Sequence, residues 1–162
     1  MNKFYITSNA FQDNGWMPIN CTGRGEDISP QMSLHNISQT AVSIAIIMDD
    51  LDIPLMGAYT HWVIFNIPPT DNIGENIPYG EIVPTLGNAI QGIGYGKHRY
   101  RGPKIPPFIR KRHRYVFQVY VLDTMLELES SANKRDVLKH MKGHVLQSAK
   151  ITGIQQKGKK NG

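Results

Sequence analysis

YVFQVYVL, residues 115–122, carries only aromatic, β-branched and other apolar side chains around a single glutamine. That enrichment at that length predicts a β-strand. Working outward, AVSIAIIM (41–48) is a nearly uninterrupted apolar run and reads as a buried strand, followed by the acidic turn Asp49-Asp50-Leu51-Asp52-Ile53-Pro54. HWVIFNI (61–67) reads as a further strand closed by Pro68-Pro69, and the Gly-, Pro- and Asn-dense stretch 68–97 as irregular loop with a short strand or two. On the other side, Asn133 can cap a helix, with Asp136 in its first turn, Val137, Leu138 and Met141 at helical spacing, and Gly143 to stop it. Residues 149–154 can form a last strand. The chain is read as mainly β with one late helix, and nothing in it repeats at a fixed period.

Length and composition agree. The chain has 162 residues, enough for one domain over 1–162 with a sizeable core, closing on a basic, flexible tail at about 157–162. Hydrophobic residues make up 40% and charged residues 19%, which excludes a disordered chain, and 15 glycines with 10 prolines supply many turns. No apolar run approaches a membrane span, and the N-terminal residues show no apolar leader segment. Cys21 is the single cysteine, so no internal disulfide forms. A cytoplasmic location is the expectation.

Charge is unevenly placed. Residues 1–96 hold 2 basic residues, Lys3 and Arg24, against 9 acids, whereas 97–162 hold the other 16 against 4. Within 97–114 there are 8 Lys/Arg and no acid. Such a segment can attract nucleic acid, an anionic membrane or an acidic partner, or can simply be a solvated loop; the second reading is preferred from this feature alone.

Two constellations carry possible chemistry. In the first, Asp50-x-Asp52-x-Pro54 follows one strand and His61-Trp62 opens the next, so carboxylate and imidazole can meet at one rim of a sheet. A carboxylate beside an imidazole fixes its tautomer and favours its charged form, which suits anion binding or acid–base work. Spacing alone leaves open a polar turn and a histidine satisfied by a backbone carbonyl. In the second, Tyr100-x-Gly102-Pro103-x-x-Pro106-Pro107 precedes His113-Arg114-Tyr115. Glycine permits close backbone approach, proline stiffens the loop, and His113 and Tyr115 would add donors at the strand mouth. By itself it can equally be an ordinary rigid loop.

The ordered set of these motifs, together with Ser8-x-Ala10-Phe11, Cys21-x-Gly23, Ser29-Pro30 and Gly143-His144-Val145-Leu146, resembles the phosphatidylethanolamine-binding protein family over nearly the whole chain. The likeness is greatest to its compact bacterial and archaeal branch, the Raf-kinase-inhibitor-like proteins. The resemblance implies two packed antiparallel sheets, a β-sandwich, with a few peripheral helices, one near the C-terminus. It implies a small anion pocket for phosphate, acetate or a phosphorylated head group, with Asp50, His61, Gly102, His113 and Tyr115 on the ligand and Asp52, Pro54, Trp62 and Pro103 shaping the walls. It further suggests regulation of a kinase, protease or other partner, and a possible homodimer. Departures from the family pattern are Leu51 between the aspartates, Ile53 before the proline, Leu34 where many members have Trp, and a tail without the closing tyrosine.

The sequence has no glycine-rich phosphate loop, no nucleophile elbow and no metal-spaced histidine pair, so no cofactor or metal is expected. A binding protein is preferred to an enzyme, since acid–base groups also serve binding sites. His35, His98 and His140 are expected in solvent and His144 at the helix end. The alternatives are a hydrolase or transferase using the Asp/His pocket, and a nucleic-acid or anionic-membrane binder working through 97–114.

Overall fold

The two apolar runs that dominate the sequence lie side by side. The structure, a computed structural model, describes residues 2–109 and 111–157; the tail expected to be flexible lies, beyond Lys157, outside them. In chain order the strands are β1 (Tyr5–Thr7), β2 (Gly15–Trp16), β3 (Met32–His35), β4 (Ser43–Ile53), β5 (Gly57–Ile67), β6 (Asn72–Ile73), β7 (Ile82–Val83), β8 (Ala89–Gln91), β9 (His113–Leu122) and β10 (Val145–Gln155), with helix α1 (Lys134–Met141) before the last. They form a three-stranded sheet, β1-β3-β6, and a seven-stranded sheet, β2-β10-β9-β4-β5-β8-β7. The architecture is mainly β with two sheets and one α-helix near the C-terminus. Pairing is antiparallel except between β2 and β10, which run parallel.

Why β4 reads as a solid apolar run follows from its position. Its residues 43–48 are all buried. Ile44, Ile46 and Met48 join Phe4, Ile6, Met32, Leu34 and Ile73 in the core between the sheets. Ala45 and Ile47 join Val63, Phe65, Val137 and Met141 under α1 on the opposite face. A strand covered on both faces has no need of alternation. β9 keeps a partial alternation, with Phe117, Val119 and Val121 facing the intersheet core. The α1 cap matches its sequence signature: Asn133 Oδ1 accepts from Asp136 N–H and Asp136 accepts from Asn133 N–H, each at 3.0 Å.

The strand boundaries require correction. Asp49–Ile53 belongs to β4, and the turn lies at 54–56. The carboxylates there are strand residues with partners: Asp49 accepts from Lys134 at 2.6 Å and Thr60 at 2.8 Å, and Asp50 and Asp52 reach β9. Acidic residues that resemble turn formers are tolerated in a strand when neighbouring elements supply opposite charge. β5 and β10 each begin four residues earlier than expected, and β9 begins at His113 rather than Tyr115. Among the described residues no helix is long and apolar enough to cross a membrane.

Candidate functional site

Strand register decides which polar side chains meet. Asp50 on β4 lies opposite Tyr59 on β5 and Tyr115 on β9. His113 precedes Tyr115 by two residues, which returns its side chain to the same face. Its Nδ1 donates to Asp50 Oδ2 at 2.7 Å, with side chains 0% and 1% exposed. The other carboxylate oxygen, Oδ1, accepts from the Asp52 backbone N–H at 2.8 Å. His113 Nε2 is buried and has no hydrogen-bond partner among the described residues.

His61 completes the cluster from β5. Its Nδ1 donates to the Arg101 carbonyl at 2.7 Å, which fixes the tautomer and leaves Nε2 for other use. Burial pushes its pKa below the ordinary 6.5; the Arg101 carbonyl, then the Asp50 charge, oppose that shift. Tyr115 presents its ring at 5.4 Å and near right angles to His61. Burial, then the neighbouring Asp50 carboxylate, pushes the Tyr115 phenol far above its usual range, so it remains a hydroxyl. The cluster therefore combines one carboxylate, two imidazoles and one neutral phenol in a region closed to bulk water, with His61 3% and Tyr115 1% exposed.

Residues that sequence reasoning passed over cover and hold this cluster. Tyr95 packs edge-on to His61 at 5.1 Å, and the Arg101 guanidinium lies 3.9 Å over the Tyr95 ring. Arg101, Tyr95, His61 and Tyr115 thus form a continuous run of side-chain contacts. Asp27 ties down the loop behind them: Oδ1 accepts the Gly102 N–H at 2.7 Å and Oδ2 accepts from Arg99 at 2.7 Å. The signal for Asp27 was faint, an acid two residues before Ser29-Pro30. Tyr95 and Arg101 sit in a Gly- and Arg-rich loop whose path sequence alone does not give.

Asp50, His61, His113 and Tyr115 converge; the other named positions have different surroundings. The Gly102 amide is already donated to Asp27. A Cβ at Gly102 would stand 2.1 Å from the Cys21 carbonyl oxygen, so the close approach glycine permits is to the protein's own backbone. Asp52 lies one step outward and accepts three bonds from Arg114, through the backbone N–H at 2.8 Å, Nε at 3.0 Å and Nη2 at 3.1 Å. Those bonds, with Lys111 nearby, hold its carboxyl down at about 2. Trp62 is committed to the intersheet core, donating to Gln91 at 2.8 Å and lying edge-on to Tyr100. Pro54 stands in the turn after β4, and Pro103 is buried with its carbonyl accepting from Gly23 at 2.8 Å. Three of the remaining histidines differ from expectation: His35 is partly buried, bonded to Thr7 and stacked on Tyr5, His98 is partly buried and bonded to the Gln91 carbonyl, and His144 is exposed and paired with Asp123. Burial pushes the Cys21 thiol up to about 12, which makes it a poor nucleophile.

Comparison with known proteins gives a consistent result. The family model described as phosphatidylethanolamine-binding protein matches residues 7–156. A UPF0098 protein of Methanothermobacter thermautotrophicus is 43% identical over 155 residues, covering 94% of this chain and 99% of that one. The crystal structure of a phosphatidylethanolamine-binding protein homologue from Chlamydia trachomatis superposes with a TM-score of 0.83 at 29% identity, covering 97% of this chain and 99% of the other. Escherichia coli YbcL, described as a member of the mammalian phosphatidylethanolamine-binding family, shares the fold at a TM-score of 0.83 and 23% identity, with 96% and 99% of the chains covered.

Proposed function

This chain belongs to the phosphatidylethanolamine-binding protein family, and we propose that the Asp50, His61, His113 and Tyr115 cluster binds a small oxyanion of the phosphate type. The observation that carries this reading is His113 Nε2, buried and unpartnered while Nδ1 is held by Asp50. An orphaned buried polar atom costs about 1–3 kcal/mol, which an oxygen ligand would recover. With Nδ1 donating to Asp50, Nε2 faces the interior free to accept from a protonated ligand oxygen or, whenever the ring carries a second proton, to donate to an anion. The Tyr115 hydroxyl donates to Asp50 and leaves its oxygen lone pairs to accept from a protonated ligand oxygen. His61, held neutral by burial, can accept from a protonated phosphate oxygen; in acid it becomes a second donor.

Affinity for the anion therefore falls as pH rises through the histidine range. The test is calorimetric titration with phosphate, phosphoethanolamine and sulfate at several pH values from about 5.5 to 8, a range bracketing free histidine. Sulfate keeps its charge across that range and isolates the titration of the protein. Saturable binding that weakens with pH and is lost in a folded His61→Ala variant is expected. No binding to the folded wild type, or affinity constant with pH, sinks the reading. Turnover of a phosphate ester that is abolished by His61→Ala would replace binding with hydrolysis.

A further inference from the structure

At the end of the large sheet where β4 stops and β9 begins, three large apolar side chains stand in the open: Leu55, 107% exposed, Met56, 60%, and Phe108, 83%. Leu55 is the more telling of these because of its backbone. The turn Ile53-Pro54-Leu55-Met56 closes with Met56 N–H donating to the Ile53 carbonyl at 3.3 Å, and Leu55 occupies its third position at φ +66°. That position suits glycine or asparagine, because a branched side chain with a Cβ is strained there. Leu55 accepts the strain while burying nothing in the fold, and local strain without a folded-state return points to a use outside it.

The neighbouring loop shares this end. Asp50 pairs with Tyr115, so residues after Asp50 and residues before Tyr115 leave the sheet on the same side. Lys111 Nζ, 3.6 Å from Asp52 Oδ1, ties the loop to the shoulder of the hairpin. Phe108 tips the loop turn in which Ile109 N–H donates to the Pro106 carbonyl at 3.0 Å. In the chain segment that carries it, Lys104, Lys111, Arg112 and Arg114 are exposed, Arg112 lying 5.2 Å over the Trp16 ring. Asp50 is buried against His113, and Asp52 offsets one of the two charges of Arg114 and Lys111, which leaves this end with an excess of positive charge.

We propose that this end of the molecule docks on an anionic lipid bilayer, with Leu55, Met56 and Phe108 at the boundary of head groups and acyl chains and the basic residues on lipid phosphates. Apolar prongs framed by cations match the two layers of such an interface. A second copy of the chain would set like charges against each other, and a nucleic acid would leave the three apolar tips unused. The docking does not depend on the proposed anion site being occupied.

The test is flotation of the full chain with phosphatidylcholine vesicles, with and without phosphatidylglycerol. Salt-sensitive binding to the mixed vesicles alone is expected. A Leu55→Ser/Met56→Ser/Phe108→Ser variant should lose about tenfold or more in partitioning, and Lys104→Gln and Arg112→Gln about fivefold each. Leu55→Asn relieves the backbone strain, so it should raise Tm while weakening vesicle binding. His61→Ala should float like the wild type, and the triple serine variant should bind phosphate like the wild type, which keeps this proposal separable from that of the anion site. No flotation at low salt overturns it, as does flotation unchanged in the triple variant. A concentration-dependent dimer abolished by the same substitutions, without flotation, would assign the surface to a second copy of the chain instead.

Discussion

Asp50 and Asp52 stand two residues apart on β4, and each takes its partner from the first two residues of β9, yet their circumstances are opposite. The Asp50–His113 pair is sealed, with side chains 1% and 0% exposed, and keeps one ring nitrogen unspent. In the Asp52–Arg114 pair the arginine side chain is 53% exposed, and the carboxylate is saturated by three bonds. One sequence motif, Asp-x-Asp, therefore supplies an interior dyad with capacity left for a ligand and an outer clasp that only fastens two strands. The difference is one of dielectric: attraction in the interior is strong but is set against desolvation, whereas at the surface both terms shrink.

The sharpest way to break the comparison is to remove Asp50. Breaking a buried pair strands its partner, and Asp50→Ala is expected to cost about 3–5 kcal/mol. For a chain of this length that is a drop in Tm on the order of 10 °C. Asp50→Asn, whose amide oxygen can still accept from His113 Nδ1, should cost clearly less. Urea midpoints read both. A cost for Asp50→Ala below about 1 kcal/mol, the ceiling for exposed pairs, would erase the distinction between the two carboxylates.

Removing Asp52 should do less. The strength of its pairing is discounted because more than half of the Arg114 side chain is in solvent, which leaves a cost of about 1 kcal/mol for Asp52→Ala. The single variants and the double variant with Arg114→Ala form a cycle that measures the coupling directly. Coupling as large as the Asp50 effect would mean that the exposed clasp, not the interior dyad, holds β4 to β9.

How far the sequence anticipated this arrangement can be seen in the same strands. β9 was legible because its composition admits only one reading, and α1 because Asn133 and Asp136 write both halves of a capping box. β4 was cut short at Met48 because three acids within four residues mimic a turn, and the cations that compensate them lie 62 to 85 residues away. The motifs point to Asp50, His61, His113 and Tyr115, but not to how they pair. Spacing pointed to Asp50 with His61, whereas cross-strand register gives Asp50 to His113 and leaves His61 to the Arg101 carbonyl. Asp27, Tyr95 and Arg101 were missed because they act on the cluster through backbone bonds and ring faces, which leave no pattern along the chain.

The smallest expected effect is a pH dependence that belongs to the outer carboxylate. Arg114 hydrogen bonding lowers Asp52 from its ordinary 3.8 to about 2 in the folded protein. A folded pKa below the unfolded one means that the unfolded chain binds the proton first as pH falls. The stability contributed by Asp52 is therefore complete above the unfolded value and is lost progressively as pH drops towards the folded one. Urea midpoints of wild type and Asp52→Ala should differ by a constant amount from neutral pH down to about 5, then converge towards pH 2. A gap that survives undiminished in strong acid would show that Asp52 fastens β9 by packing alone, and the charge contrast between the two aspartates would lose its outer half.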